Sequence, residues 1–370
     1  MIARKENSMT PIGLYLHIPF CLRKCAYCDF ASYANREDQF HPVISAMKVE
    51  MARAEGLSIG TVYIGGGTPT LLPTETLIDL LDTARRHFDI HKDAEITIEA
   101  NPGAVDGAKL SALRGAGVNR LSLGAQAMQP KLLETLGRIH RWEDVVAAAR
   151  DARNAGFDNL SLDLMYGLPG QRPIDFRDTL DAALALSPEH LSLYSLIVEK
   201  DTPFFARYAD HPELLPGEEA LAEMADDSLW MTEDAGLIRY EISNFAKEGF
   251  ESRHNLGYWL RRDYLGIGCA AHSLLRNFRW GNAHTLEGYL QGQREEELAV
   301  SEQDARFERL MLGLRLVEGI PWGEQALYDT YKEKFHALRE RGLMDWDDAR
   351  IWLTKRGLDL QNRVLVALME

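Results

Sequence analysis

Apolar residues recur along the first half of the chain in short β-branched or alternating runs, each followed by a longer stretch with helical spacing. The runs at 13–18, 61–64, 95–99, 120–123, 160–165 and 190–198 predict strands. Helical periodicity lies between them, at 37–56, 74–88, 107–117, 142–156 and 174–186. Several of these stretches close on a glycine, the residue that most easily takes the left-handed turn ending a helix. Strands that alternate with helices predict parallel pairing through crossover helices, hence an α/β fold. Six such units fall short of the eight in a full TIM barrel, so the expectation over 10–215 is a partial (β/α)6 TIM-like barrel.

After about Pro216 the rhythm changes. A helical pattern at 218–236 leads to a strand-like 237–243, then to an aromatic- and glycine-rich stretch, 245–280, that reads as irregular. Helical spacing returns at 302–317 and 324–341, followed by a strand-like 350–354, a break at Gly357 and a helix-like 360–369. The expectation is a region at 216–300 that covers the barrel, then a smaller mixed α/β C-terminal module, helical and winged-helix-like, at 301–370.

Composition narrows the class. Of 370 residues, 46% are hydrophobic and 26% charged, which excludes a disordered or fibrous chain. The net charge of −15 argues against broad binding of nucleic-acid phosphates. No apolar run approaches the ~18 residues that span a bilayer, so membrane contact would come only through partner proteins. Residues 1–10 carry Arg4, Lys5 and Glu6 with no apolar stretch before a cleavage site, which argues against secretion. Cys21, Cys25 and Cys28 are crowded while Cys269 stands far away, the usage of a cytoplasmic chain with a metal-type cluster.

The three crowded thiols have the spacing C-x3-C-x2-C and follow the first predicted strand. Three thiolates can hold three irons of a 4Fe-4S cluster and leave the fourth open to a non-protein ligand. A structural zinc site wants four closed ligands, and His17 or Asp29 could supply the fourth, so spacing alone leaves zinc open. Gly65-Gly66-Gly67-Thr68 follows the second strand, where successive glycines let backbone approach a ligand. Glu99, Gln126 and Asp163 fall at the ends of the third, fourth and fifth strands, the ends where barrel sites are built.

The cysteine spacing resembles the signature of the radical S-adenosylmethionine (SAM) superfamily. That resemblance implies a radical SAM barrel in which SAM chelates the open iron and is cleaved to a 5′-deoxyadenosyl radical. It places Tyr27 near the adenine, and the glycine run is similar to the family's motif for the amino-acid end of SAM. Within the superfamily the chain is similar to oxygen-independent coproporphyrinogen oxidase and its relatives. There Tyr15, Gly66, Gly67, Thr68, Glu99, Gln126, Arg138 and Asp163 match SAM-contacting positions, with Arg138 assigned to the SAM carboxylate.

Two functions compete inside that group. One is decarboxylation of coproporphyrinogen III; the other belongs to the HemW heme chaperones, which pass heme to apo-hemoproteins. The decarboxylases carry a further cysteine two positions after the third, where this chain has Phe30, and a longer N-terminal lead. His254-Asn255-Leu256-Gly257-Tyr258-Trp259 is similar to the H-N-x-x-Y-W element of the chaperones, which makes His254 the expected heme ligand. Read without the resemblance, that element is a turn anchoring aromatics in an interface. Cys269 and His272 are lesser candidates, a lone cysteine between small residues being usually core. The expectation is a heme chaperone with a 4Fe-4S cluster and SAM, with no residue assigned to decarboxylation.

Overall fold

The computed structural model describes residues 10–322 and 325–369; the segment on which the secretion argument and the short lead rest lies outside them. Six strands form in the order expected: β1 (Ile12–Ile18), β2 (Ser58–Gly66), β3 (Asp89–Ala100), β4 (Arg120–Gln126), β5 (Leu160–Tyr166) and β6 (His190–Ser195). Each pairs in parallel with the next. The connections are helical: α1 (Phe40–Arg53), α2 (Thr74–His87), α3 (Gly107–Gly115), α4 (Pro130–Leu136), α5 (Trp142–Asn154) and α6 (Pro173–Leu184).

The sheet runs on past both ends of this set. Beyond β1 lies Tyr264–Ile267, parallel to it, then the antiparallel strands His272–Leu275, Phe278–Asn282 and Arg294–Ala299. Beyond β6 lie Asn244–Ala246 and Ile238–Arg239, both antiparallel. The order has two open ends, so the barrel is partial and the chain is α/β.

The stretch read as irregular is therefore corrected. It holds a helix at Arg253–Trp259 and three strands, each seven residues or shorter, too brief to show a period. The strand expected at 237–243 shrinks to Ile238–Arg239, and that at 190–198 ends at Ser195.

The C-terminal elements build their own small core from residues such as Leu314, Phe335, Ile351 and Val364. Their three-stranded antiparallel sheet joins Ile320–Pro321, Arg350–Leu353 and Met344–Trp346. The module meets the barrel sheet's edge through a Glu241–Leu316 bridge and an Arg239–Asp359 ion pair at 3.6 Å.

Alternation along the barrel strands sorts their faces. Leu14, Leu16, Val62, Ile64, Ile98, Leu121, Leu123, Leu162 and Leu191 join the main core with helix residues such as Met47, Leu77 and Leu113. The intervening positions are polar: Tyr63, Glu99, Arg120, Ser122, Asp163, Ser192 and Tyr194 line an enclosed cavity instead. The sheet's apolar face is turned to the helices and its polar face inward. Leu162 is fully buried in the helix-facing layer. Leu162→Ala should cost about 2–5 kcal/mol through the cavity it leaves. Denaturant unfolding checks this, with ligand binding at the surviving native fraction unchanged.

Candidate functional site

The inner cavity measures about 350 Å³ and opens at the C-terminal ends of the strands. After β1 the chain forms a two-residue strand, Phe20–Cys21, that pairs with Tyr33–Ala34 and closes the cysteine loop. The loop is tied down at its middle. Ala26 N–H donates to the Leu136 carbonyl at 2.9 Å, and Phe204 N–H donates to the Ala26 carbonyl at 3.0 Å. Cys21, Cys25 and Cys28 all line the cavity. Thr68 Oγ1 donates to Cys21 Sγ at 3.7 Å and Arg138 Nη1 to Cys25 Sγ at 3.6 Å.

These thiols suit a cluster better than a single ion. Burial pushes the Cys28 thiol up to about 11 and raises Cys21 as well, so both stay protonated until a cation takes the proton's place. Among the described residues, no three His, Cys, Asp or Glu groups converge closely enough to enclose one metal ion. A cluster gives each thiolate its own iron and so needs a wider spacing. His17 is not free to complete a zinc site. Its Nδ1 bonds the Tyr15 hydroxyl and its Nε2 the Ala31 carbonyl, both at 2.9 Å. Asp29 is exposed.

The glycine run has a steric cause. Gly66 sits at φ +110°, and a Cβ there would stand 2.7 Å from the His17 ring. A Cβ on Gly67 would stand 2.5 Å from the Phe20 carbonyl oxygen. Bare backbone lets Gly67 N–H reach the Ile18 carbonyl at 2.8 Å and Thr68 N–H the Phe20 carbonyl at 2.7 Å. The end of β2 is thus spliced to the cysteine loop. Glu99 accepts from Tyr63 Oη at 2.7 Å and from Gly66 N–H at 3.1 Å. Burial nonetheless pushes its carboxyl up to about 7.

Gln126 ends β4 in the left-handed region, φ +63°, beyond an irregularity between Gly124 and Gln126. Arg138 reaches back from the end of α4 to the Gly124 carbonyl and to Cys25, leaving its Nε buried without a partner. That orphan donor, in a guanidinium fork, is what a carboxylate would satisfy. Asp163 accepts from Ser122 Oγ at 3.0 and 3.1 Å, and burial raises its carboxyl. Tyr27 lines the same space with its ring 6.3 Å from Phe204.

Sequence reasoning missed Arg120. Its side chain is among the largest that are wholly buried, lines the cavity and keeps an unpartnered Nε. The signal was available: Arg120, Ser122 and Gly124 alternate with leucines along one strand.

Two expected residues lie elsewhere. Tyr15 lines a neighbouring cavity of about 650 Å³, not the one with the cysteines. His254, the expected iron ligand, has both its ring nitrogens engaged within the fold. Nδ1 bonds Thr61 Oγ1 at 2.8 Å and Nε2 bonds Tyr258 Oη at 2.9 Å. The imidazole stacks on Tyr63 at 5.1 Å, and burial lowers it to about 3, so it is neutral. Its helix caps the lower end of the barrel, where Glu95 accepts from the Arg253 and His254 N–H groups at 2.9 and 3.0 Å. Tyr258 lines the larger cavity; Trp259 lies under the Arg315 guanidinium at 4.2 Å. Cys269 is core, its thiol donating to the Ala283 and His284 carbonyls at 3.3 and 3.4 Å.

Residues 15–183 match the family model of the radical SAM superfamily, and residues 300–360 that of the HemN C-terminal domain. The chain is 37% identical to the heme chaperone HemW of Bacillus subtilis, over 96% of this chain and 98% of that protein. It is 38% identical to heme chaperone HemW of Escherichia coli, over 86% of each. Among solved structures it resembles the E. coli coproporphyrinogen III oxidase HemN, a radical SAM enzyme. That match has a TM-score of 0.84 and 25% identity, over 97% of this chain and 90% of the other.

Two outcomes test the site. Cys28→Ala should remove most of the ~400 nm iron–sulfur absorbance after anaerobic reconstitution, since a thiolate ligand is lost outright. Arg138→Ala should weaken SAM binding tenfold or more by calorimetry, with Arg138→Lys only partly restoring it. Glu99 gives a pH test on the ligand-free chain. A carboxyl raised to about 7 in the fold contributes stability below its unfolded value and loses it as pH rises through 7. Glu99→Gln should therefore raise Tm more at pH 8 than at pH 5.

Proposed function

The chain belongs to the HemW family of heme chaperones, and on that premise we propose that it binds a 4Fe-4S cluster, SAM and heme, and hands heme to apo-hemoproteins. Cys21, Cys25 and Cys28 would each give one thiolate. Tyr27, Gly66, Gly67, Thr68, Glu99, Gln126, Arg138 and Asp163 would hold SAM, with the Arg138 fork on its carboxylate. When bound, the cluster supplies an open iron and an electron for SAM. The chain's own contribution would be a polar enclosure that fixes the cofactor's orientation.

The observation that carries the chaperone reading over decarboxylation is Phe30. It stands two residues after Cys28, is 57% exposed and lines the mouth of the cysteine cavity. In the decarboxylases that the sequence resembles, a cysteine occupies that position. An exposed phenyl ring supplies no ligand or redox chemistry there. The fold match to HemN supports the shared scaffold without choosing between the two, since function resides in the site. No helix among the described residues is long and apolar enough to cross a membrane. A cytoplasmic location, with membrane contact only through hemoprotein partners, is part of the proposal.

Two measurements on reconstituted protein test the reading together. Heme titration should develop a saturable Soret band, while anaerobic incubation with coproporphyrinogen III, SAM and a reductant should yield no decarboxylated product. Decarboxylation at an ordinary enzymatic rate, above about 1 per second, would reverse the assignment.

A further inference from the structure

We propose that heme is seated in the second cavity, with its iron on the His272–His284 pair and its propionates at Arg261, Arg262 and Arg279. This rests on the heme-chaperone reading and assigns its cargo site. The cavity, about 650 Å³, is of ligand size and lies beside the cysteine cavity, Asp29 and Phe30 lining both.

An iron porphyrin asks for three things: an imidazole with a free nitrogen, an apolar slot and cations at one edge. Three of the four buried histidines fail the first requirement, and the fourth, His140, keeps an unpartnered Nδ1 but lines neither cavity. His17 and His254 each have both ring nitrogens bonded, and so does His190, to Ser161 Oγ and Tyr240 Oη. His272 and His284 differ. Their side chains are 42% and 57% exposed, and their rings stand 6.1 Å apart on the cavity wall. Each has one carboxylate at 3.6 Å, Glu296 Oε2 from His272 Nδ1 and Glu295 Oε2 from His284 Nε2. Among the described residues, the other ring nitrogen of each has no hydrogen bond.

The slot is apolar and aromatic. Phe30 forms one wall, Leu274, Met311 and Leu312 contribute aliphatic surface, and Tyr258 meets Tyr264 edge-on at 4.7 Å. Three guanidiniums gather at one edge of the cavity, those of Arg261, Arg262 and Arg279. Arg261 and Arg279 share one carboxylate, Glu308, at 2.7 and 2.9 Å. Arg262 is exposed and its guanidinium has no ion pair among the described residues. Glu308 faces Arg261 and Arg279, Glu296 also acts on Arg279, and Asp29 lies at the Phe30 end, so Arg262 is the guanidinium most available to a propionate.

The test is heme titration of the full chain, cluster reconstituted, followed by the Soret band. His272→Ala/His284→Ala should weaken heme binding at least tenfold and move the Soret band, with the iron–sulfur absorbance and Tm kept because both side chains are exposed. Arg262→Glu should weaken binding of heme severalfold but not of heme dimethyl ester, whose carboxylates are masked. A double variant that binds heme with the wild-type spectrum and affinity overturns this seat and leaves the chaperone reading standing. A wild-type chain that binds no heme overturns both.

Discussion

The arrangement depends on keeping charge inside a sheet whose other face is the hydrophobic core. Arg120 is the extreme case, a guanidinium wholly enclosed by the barrel. Leaving a buried charge uncompensated costs several kcal/mol. Compensation comes from the neighbouring strands, because Arg120 draws down the carboxyls of Glu99 and Asp163 against the burial that raises them. Two carboxyls that burial raises and two arginines with unpartnered Nε atoms make a lumen poised for a charged guest. A zwitterionic sulfonium such as SAM carries groups of both signs that such a lumen can pair.

Everything around the lumen serves to close it. Below, the helix Arg253–Trp259 is pinned by Glu95 at its start and by the Ser252 cap, and its His254 fills the floor against Tyr63. Above, the cysteine loop is held to α4 and to the Phe204 segment by backbone hydrogen bonds. To the side, Glu308 of the C-terminal module takes both Arg261 and Arg279, so the appended module completes the rim of the second cavity. Positioning at the site thus comes mostly from backbone splices and buried hydrogen bonds.

The barrel was legible because its strands alternate strictly and its helices are long. Leu121, Leu123 and the polar residues between them report both faces of β4 from sequence alone. Short-range chemistry was legible for the same reason: the cysteine spacing and the Gly65–Thr68 run are local. What local reading missed was set by distant partners. The strands of 264–299 exist because they extend an edge that β1 offers, and α4 is only seven residues, opened by Pro130 and closed by Gly137 at φ +77°. The surroundings of His254 were hidden for a related reason. A histidine in a polar motif reads as a ligand until Thr61, nearly two hundred residues upstream, is seen to occupy its nitrogen.

A protein that must surrender its cargo needs an iron ligand that a recipient can compete away. An imidazole locked beneath Tyr63, between two hydrogen bonds and with its charge state forced neutral, exchanges only if the floor of the barrel opens. That route would break the Glu95 anchors and expose the lumen. His272 and His284, part-exposed and each backed by a single carboxylate at 3.6 Å, would in the proposed seat bind and release without opening the core. The Asp29–Phe30 stretch belongs to the wall of both cavities and follows Cys28 directly in the chain. In the proposed seat, the heme slot and the cysteine loop would thus share one segment of chain, so a change in the loop's position would move a wall of the slot as well.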